Sequence, residues 1–420
     1  MALKTKYERI RLSGKKMNVL VVNAGSSSLK YQLFDTDNHT VLAKGLCERI
    51  GIDGKISHKQ LITGKTYEAD AAMPNHDEAI KLVVKCLINP DYGCVSSMNE
   101  IEAVGHRIVH GGAYFSESVL VDDGVMAKLE LCRDLAPLHT GAHIMGIQGC
   151  LSVMPNTPQV LVFDTAFHST MPKYAHVYGV PYEMYTKYQI RRYGAHGTSH
   201  RYVSGECAKL LDKPIEQTKI VTCHLGNGSS ISAVQGGKCI DTSMGFTPLA
   251  GVIMGTRCGD MDPAIVPYII EKEGFTPAQM NEFMNKKCGF LGISGISSDC
   301  RDLDAAIADG NERAKLAIDI LTYQIKKFIG AYAAAMDGLD AIVFTAGIGE
   351  NNAPLREDVC KGLGYLGVKF DSEANASIKR PHPAYSLISA PDSAVKVYMI
   401  PTNEELVIAS DTERLVKASK

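Results

Sequence analysis

Residues Met17–Asp35 read MNVLVVNAGSSSLKYQLFD. Val19–Val22 is a short apolar run rich in β-branched residues, the length of one buried strand. Asn23–Ser28 is a turn of small residues. Leu29–Asp35 then alternates, with Leu29, Tyr31 and Leu33 on one face and Lys30, Gln32 and Phe34 on the other, as a returning strand does. The expectation is a hairpin whose turn offers backbone N–H groups and the hydroxyls of Ser26, Ser27 and Ser28, with the Lys30 ammonium beside them. Successive N–H groups in a tight Gly/Ser turn form a concave anion site, and lysine adds a point charge. Phosphate is the ligand that fits. An ordinary hairpin with a Ser-rich turn would look the same in isolation.

Further along, Ile220–Lys238 repeats the grammar as IVTCHLGNGSSISAVQGGK. Ile220–Cys223 is an apolar run, His224–Ser230 a Gly/Asn/Ser turn, and Ile231–Val234 an alternating return. Gly226, Gly228 and Ser229–Ser230 occupy the places of Gly25 and Ser26–Ser28. Two such hairpins in one chain suggest a duplicated domain gripping a polyphosphate between its halves. Ala341–Asn352, AIVFTAGIGENN, adds an apolar strand that runs into Gly347-Ile348-Gly349 and then Glu350-Asn351-Asn352, read as a turn with polar groups suited to a nucleoside.

These stretches resemble the signatures of the acetate kinase family, within the superfamily of acetate and sugar kinases, heat-shock ATPases and actin. Asn23–Lys30 and His224–Ser230 carry the two main motifs. HRIVHGG (His106–Gly112), FDTAFH (Phe163–His168), RRYGAHGTSH (Arg191–His200), GTRCGDMDP (Gly255–Pro263), SSDCRD (Ser297–Asp302) and PTNEEL (Pro401–Leu406) extend the likeness from Met17 to the C-terminus. The fold this implies is α/β, with two duplicated ribonuclease H-like (actin-like ATPase) domains and a nucleotide cleft between them. The first is expected over 17–166 plus 402–420, with the last helix returning to it, and the second over 167–401. The activity implied is reversible transfer of the ATP γ-phosphoryl to acetate, giving acetyl phosphate and ADP, with Mg²⁺ (Mn²⁺ as an alternative). A propionate or butyrate kinase of the same family is the near rival. An actin-like or chaperone-like ATPase without small-molecule kinase activity is the distant one.

The resemblance also assigns residues. Lys30, Ser26 and Ser28 of the first hairpin and His224, Leu225, Gly226, Asn227 and Gly228 of the second would meet ATP. So would Asp299, Cys300 and Arg301, and Gly347, Ile348, Gly349, Glu350 and Asn351. Asn23 and Glu404 match positions near the metal. Arg107, at a strand end, has a planar fork that can hold a carboxylate in bidentate fashion. Val109, Leu138 and Pro248 match positions lining a methyl-sized apolar pocket. His196 sits in a glycine-flanked loop that lets a side chain approach a ligand; with Arg257 it would face the γ-phosphoryl. The resemblance makes Asp164 an active-site acid or base. Acetate is already ionised near pH 7, so no proton must leave it. Asp164 is therefore expected to hold metal-bound water or orient an arginine, with the base role second.

Composition narrows the rest. At 420 residues two domains are expected, and the formal net charge of -2 gives no basic field for nucleic acid. No apolar run approaches a membrane span. The 12 cysteines form no CxxC pair and read as reduced cytoplasmic thiols. His139 and His143, one helical turn apart, lack the further ligands of a zinc motif. In 313–336, Leu316, Ile320, Leu321, Ile325, Phe328, Ile329 and Tyr332 follow the spacing of a long amphipathic helix packed on a sheet. The basic segment Met1–Lys16 lies outside the resemblance and is expected to be a dispensable disordered tail. A homodimer is expected from the family alone.

Overall fold

The computed structural model describes residues 17–137 and 139–420; the basic extension 1–16 and Leu138 lie outside the described residues. The chain divides into two compact units. The first takes the described residues up to Val109, then Glu117–Val162 and Glu405–Lys420; the second takes His110–Ser116 and Phe163–Glu404. His110–Ser116, Phe163–Ala166 and Thr402–Glu404 thus group with the second unit, whereas the sequence reading places them in the first. The reason for two of these is local packing: Phe115 stacks on Phe163 with ring centroids 4.3 Å apart, and Gly111 N–H donates to Thr165 Oγ1 at 3.0 Å.

The first unit carries β1 (Asn18–Ala24), β2 (Ser28–Asp35), β3 (Thr40–Glu48), β4 (Lys55–Gln60), β5 (Thr66–Asp70), β6 (Ala103–Ile108), β7 (Val119–Leu120) and β8 (Gln159–Phe163), in sheet order β5-β4-β3-β2-β1-β6-β8-β7. β1 to β5 form an antiparallel meander, and β6 joins β1 in parallel. The alternation of β2 sets its two faces. Leu29, Tyr31 and Leu33 enter a core with Ile80, Val83 and Leu87 of the helix His76–Leu87, while Phe34 joins Val19, Val21 and Ile408 on the opposite side. That helix is capped by the Asn75 side chain, which accepts from Glu78 N–H at 3.0 Å.

The second unit repeats the plan with β9 (Lys219–Leu225), β10 (Ser229–Gln235), β11 (Lys238–Thr242), β12 (Ala341–Thr345), β13 (Ser386–Leu387) and β14 (Lys396–Met399), in order β11-β10-β9-β12-β14-β13. β9 and β10 form the antiparallel hairpin, and β12 lies parallel to β9 as β6 does to β1. The helix Glu312–Ala335 packs its Ala317, Leu321, Ile325 and Ile329 into this unit's core.

Three local expectations need correction. Both phosphate-type turns are tighter than the sequence suggests. Asn23 still pairs with Lys30 and Ala24 with Leu29, leaving only 25–28 between the paired residues; Leu225 likewise pairs with Ser229, leaving 226–228. Gly25 N–H donates to Ser28 O at 2.7 Å, and a methyl on Gly25 would lie 2.9 Å from Ser28 Oγ, so any larger residue there would have to displace the Ser28 hydroxyl. Secondly, Ala346–Asn351 is one short helix, not a turn, because Glu350 Oε1 accepts the Ala346 N–H at 2.8 Å and satisfies the helix start. Thirdly, helical spacing puts Leu316 on the buried stripe of the long helix, but it is exposed; Ala314 and Ala317 take the buried positions on either side.

Candidate active site

In the first unit, parallel pairing of Val22 with His106 brings the end of β1 beside the end of β6. Asn23, half-buried, is the last residue but one of β1; Arg107 holds the same place in β6, and Val109 follows that strand. His143 ties these ends together. Its Nε2 accepts the Val109 N–H at 3.2 Å and its Nδ1 lies 3.1 Å from Ala24 O. The ring therefore carries its proton on Nδ1 and donates it to Ala24. His143 is a buried structural clamp, and His139 stacks on it at 6.2 Å. Lys30 and Asn23, cross-strand partners, line one cavity of about 360 Å³. Ser26 is exposed and Ser28 begins β2.

In the second unit, Asp164 follows β8 and is only 1% exposed. Its carbonyl accepts the Gly197 N–H at 2.8 Å, which fixes the start of the helix Gly197–Leu210 against it. The Thr198 hydroxyl then lies 3.1 Å from Asp164 Oδ1 and 3.3 Å from Glu404 Oε1. Two carboxylates converge on one hydroxyl, which has a single proton to give. A methyl on Gly197 would collide with the Asp164 carbonyl oxygen. Gly197→Ala is therefore expected to cost about 1–3 kcal/mol of stability and to lower activity with it, as melting curves and kcat measured together will show.

His196 precedes that helix in a left-handed conformation (φ 59°), a geometry that turns its side chain towards the second hairpin. Its Nδ1 lies 2.9 Å from Ser230 Oγ, and its ring stacks on His224 at 4.1 Å. His224, at the end of β9, bonds through Nδ1 to Ser199 Oγ at 2.7 Å. Arg257 comes from the long loop after β11. It donates to the Pro248 carbonyl at 3.0 Å, and burial alone holds its guanidinium below the usual arginine range. A methyl on Gly228 would lie 3.4 Å from Arg257 Nη1 and 3.5 Å from His196 Nε2. Imidazole edge and guanidinium thus flank the same glycine of the turn.

A cavity of about 520 Å³ opens beside this turn, lined by Gly226, Asn227, Asp299, Cys300, Arg301, Gly347, Ile348 and Asn351, together with Ser298, Asp304, Asn352 and Arg380. Half of the residues expected at the nucleotide line it. Gly349 and Glu350 do not line it. Gly349 is on the side of the helix Ala346–Asn351 facing Phe344 of β12 and Cys223 and Leu225 of β9, and the Glu350 carboxylate is taken by the Ala346 and Thr402 N–H groups at 2.8 and 3.1 Å. The Leu225 side chain lies in the core, so only its backbone is available. Asp299 caps the helix Cys300–Ala308, and the Arg301 guanidinium holds its carboxyl down at about 2. Leu138 lies outside the described residues.

Sequence reasoning passes over Thr198, Ser199, His200 and the role of Ser230. The signal is available in the run Gly197-Thr198-Ser199-His200, where polar residues occupy the first turn of a helix that begins beside Asp164. No group of three or more His, Cys, Asp or Glu among the described residues could hold a metal by itself. Mg²⁺ needs fewer: it keeps several waters and takes one or two carboxylates plus phosphate oxygens, and the Asp164–Glu404 pair fits that demand.

The family model of the acetokinase family matches residues 18–410. An acetate kinase of Methanosarcina barkeri is 56% identical over 401 residues, covering 96% of this chain and 97% of that protein. One from Caldanaerobacter subterraneus is 57% identical over 405 residues, 96% of this chain and all (100%) of its own. Among solved structures, Porphyromonas gingivalis acetate kinase superposes with a TM-score of 0.91 at 45% identity, covering 95% of this chain and 100% of that one. A propionate kinase from Francisella tularensis gives 0.87 at 41% identity with the same coverage.

Proposed function

This chain belongs to the acetokinase family and is a phosphotransferase with a carboxylate acceptor, and from that premise we propose how its residues divide the work of moving a phosphoryl group from ATP to acetate. The observation that carries the reading is the pairing of Arg257 and His196 about Gly228, in the same turn as Gly226 and Asn227, which line the 520 Å³ cavity.

Phosphoryl transfer asks for positioning and charge stabilisation more than covalent help. ATP lies with its nucleoside against Asn227, Gly347 and Ile348 and its phosphates against the Gly226–Gly228 turn. Within the first unit, the Gly25–Ser27 turn and Lys30 offer phosphate-type donors of their own. An acetate oxygen attacks the γ-phosphorus, the bond to the β,γ-bridging oxygen breaks, and ADP leaves. Arg257 and the His196 Nε2 edge donate to the oxygens on which charge gathers. Arg107 holds the acetate carboxylate. Asp164 and Glu404 would hold Mg²⁺ through its waters. When bound, Mg²⁺ supplies charge neutralisation at the phosphate oxygens. Thr198 keeps the two carboxylates in register.

Hydroxylamine trapping of acyl phosphate, with acetate, propionate and butyrate run side by side, tests the reading; absence of acetyl hydroxamate from ATP and acetate would sink it. Val109 bounds the methyl end of the substrate. Val109→Ala is expected to raise kcat/KM for propionate relative to acetate by about 10-fold, the worth of one methylene. An unchanged ratio removes Val109 from the pocket.

No helix of the described residues is long and apolar enough to cross a membrane. A reducing compartment, the cytoplasm, suits a chain whose 12 cysteines are all free, most of them buried. A second copy of the chain is the proposed partner of the helix Ile265–Glu273, which buries none of its residues yet presents Ile265 and Tyr268. Sedimentation of the purified protein reads that directly.

A further inference from the structure

Behind His196 runs a row of hydrogen bonds that none of the expected roles uses. His196 Nδ1 lies 2.9 Å from Ser230 Oγ, Ser230 Oγ lies 2.7 Å from His200 Nε2, and His200 Nδ1 lies 2.7 Å from Thr222 Oγ1. Ser230, His200 and Thr222 are each 0% exposed. The row ends at Ser232 O, 3.5 Å from Thr222 Oγ1.

The protons in this row can be counted. Each hydroxyl brings one. Burial pushes His200 well below the usual histidine range, so its neutral ring also brings one. A neutral His200 donates on one side and accepts on the other. Ser230 could accept from both histidines, but its own buried proton would then have no acceptor in the row, so the arrangements that use the Ser230 proton run in one direction. If they run away from His196, its Nδ1–H donates to Ser230, Ser230 to His200, and His200 to Thr222. The Thr222 proton is then left with the Ser232 carbonyl at 3.5 Å, too far for a good hydrogen bond. If they run towards His196, Thr222 donates to His200 Nδ1, His200 Nε2–H to Ser230, and Ser230 to His196 Nδ1. Every proton then has a close acceptor.

We propose that Ser230, His200 and Thr222 are positioning residues that hold His196 as the neutral tautomer protonated on Nε2, the edge that flanks Gly228 with Arg257. The imidazole then presents a fixed N–H donor to an anion at the turn, with its ring plane set by the strand that carries Ser230. This deepens the reading of His196 given above and rests on it. The work of the row is geometric, since it touches no substrate atom.

The test reads the tautomer apart from activity. In the full-length protein with ¹⁵N-labelled histidine rings, the His196 signals are assigned by their loss in His196→Gln. The expected result is an unprotonated Nδ1 and a protonated Nε2. Ser230→Ala, a small change in a buried strand, is expected to move both ring signals and to lower kcat about 10-fold or more, since small misplacements of catalytic groups cost up to ~100-fold, with KM for acetate little changed. His200→Gln keeps an amide N–H where Nε2–H stood and should retain both signals and most of kcat. A wild-type ring protonated on Nδ1, or Ser230→Ala signals that do not move, overturns the proposal. Signals that move while kcat stays constant leave the row intact and remove His196 from the phosphoryl group instead.

Discussion

Asp164→Asn is expected to lower kcat by roughly 10²- to 10³-fold, to raise the Mg²⁺ concentration needed for half-maximal rate, and to regain part of its kcat at high Mg²⁺. Asparagine keeps the shape and one acceptor for Thr198 but loses the charge, so the pair with Glu404 becomes a single carboxylate. Because Asp164 is 1% exposed, no bulk water takes the place of that charge. Asp164→Glu should be nearly as damaging, since its extra methylene displaces the carboxylate by about an ångström, and such shifts can cost ~100-fold. Rate measurements across a Mg²⁺ series decide between this role and that of a general base. A base would show wild-type Mg²⁺ dependence in Asp164→Asn together with loss of the acidic limb of the pH–rate profile.

The second large effect separates activity from stability. Arg257→Met is expected to reduce kcat by about 10²- to 10³-fold while leaving Tm unchanged or raised. The guanidinium is half-buried, its ionisation is disfavoured by burial, and its close protein contacts are the Pro248 carbonyl at 3.0 Å and Met254 Sδ at 3.6 Å. A buried cation without a compensating carboxylate is costly in the folded state, and an apolar side chain of similar volume removes that cost. Arg257→Lys should not rescue the rate, because an ammonium is a point charge without the planar fork. Thermal melts beside steady-state rates check both halves. A Tm lower by several degrees in Arg257→Met would show instead that the arginine holds the loop after β11.

Both expected effects rest on side chains that stand out in the sequence, yet their partners do not. Arg257 and Asp164 can be picked out because their surrounding runs are distinctive. Nothing in those runs says that Thr198 stands between Asp164 and Glu404, or that the Pro248 carbonyl accepts a hydrogen bond from Arg257. The nucleoside element shows the same division. The strand Ala341–Thr345 is legible, but the local pattern of Ala346–Asn351 reads as a turn. Its helical form depends on Glu350 reaching back to the Ala346 N–H and being held there by Thr402, which follows β14. Leu316 fails for a related reason: helical spacing names several candidate stripes, and the neighbouring helix and sheet choose among them.

The sequence by itself determined the two hairpins and their small-residue turns. Those features rest on period-two alternation and on glycine's lack of a side chain, which act over a few neighbouring residues. Only the tertiary structure decided which groups meet. Antiparallel register places Ser230 opposite His224 at the end of β9, and the left-handed turn at His196 brings its ring to Ser230 from a different element. A shift of one residue in that pairing would send every side chain of β10 to the other face. The partner of His196 is therefore a property of how strand and helix pack, and no local pattern around either residue encodes it.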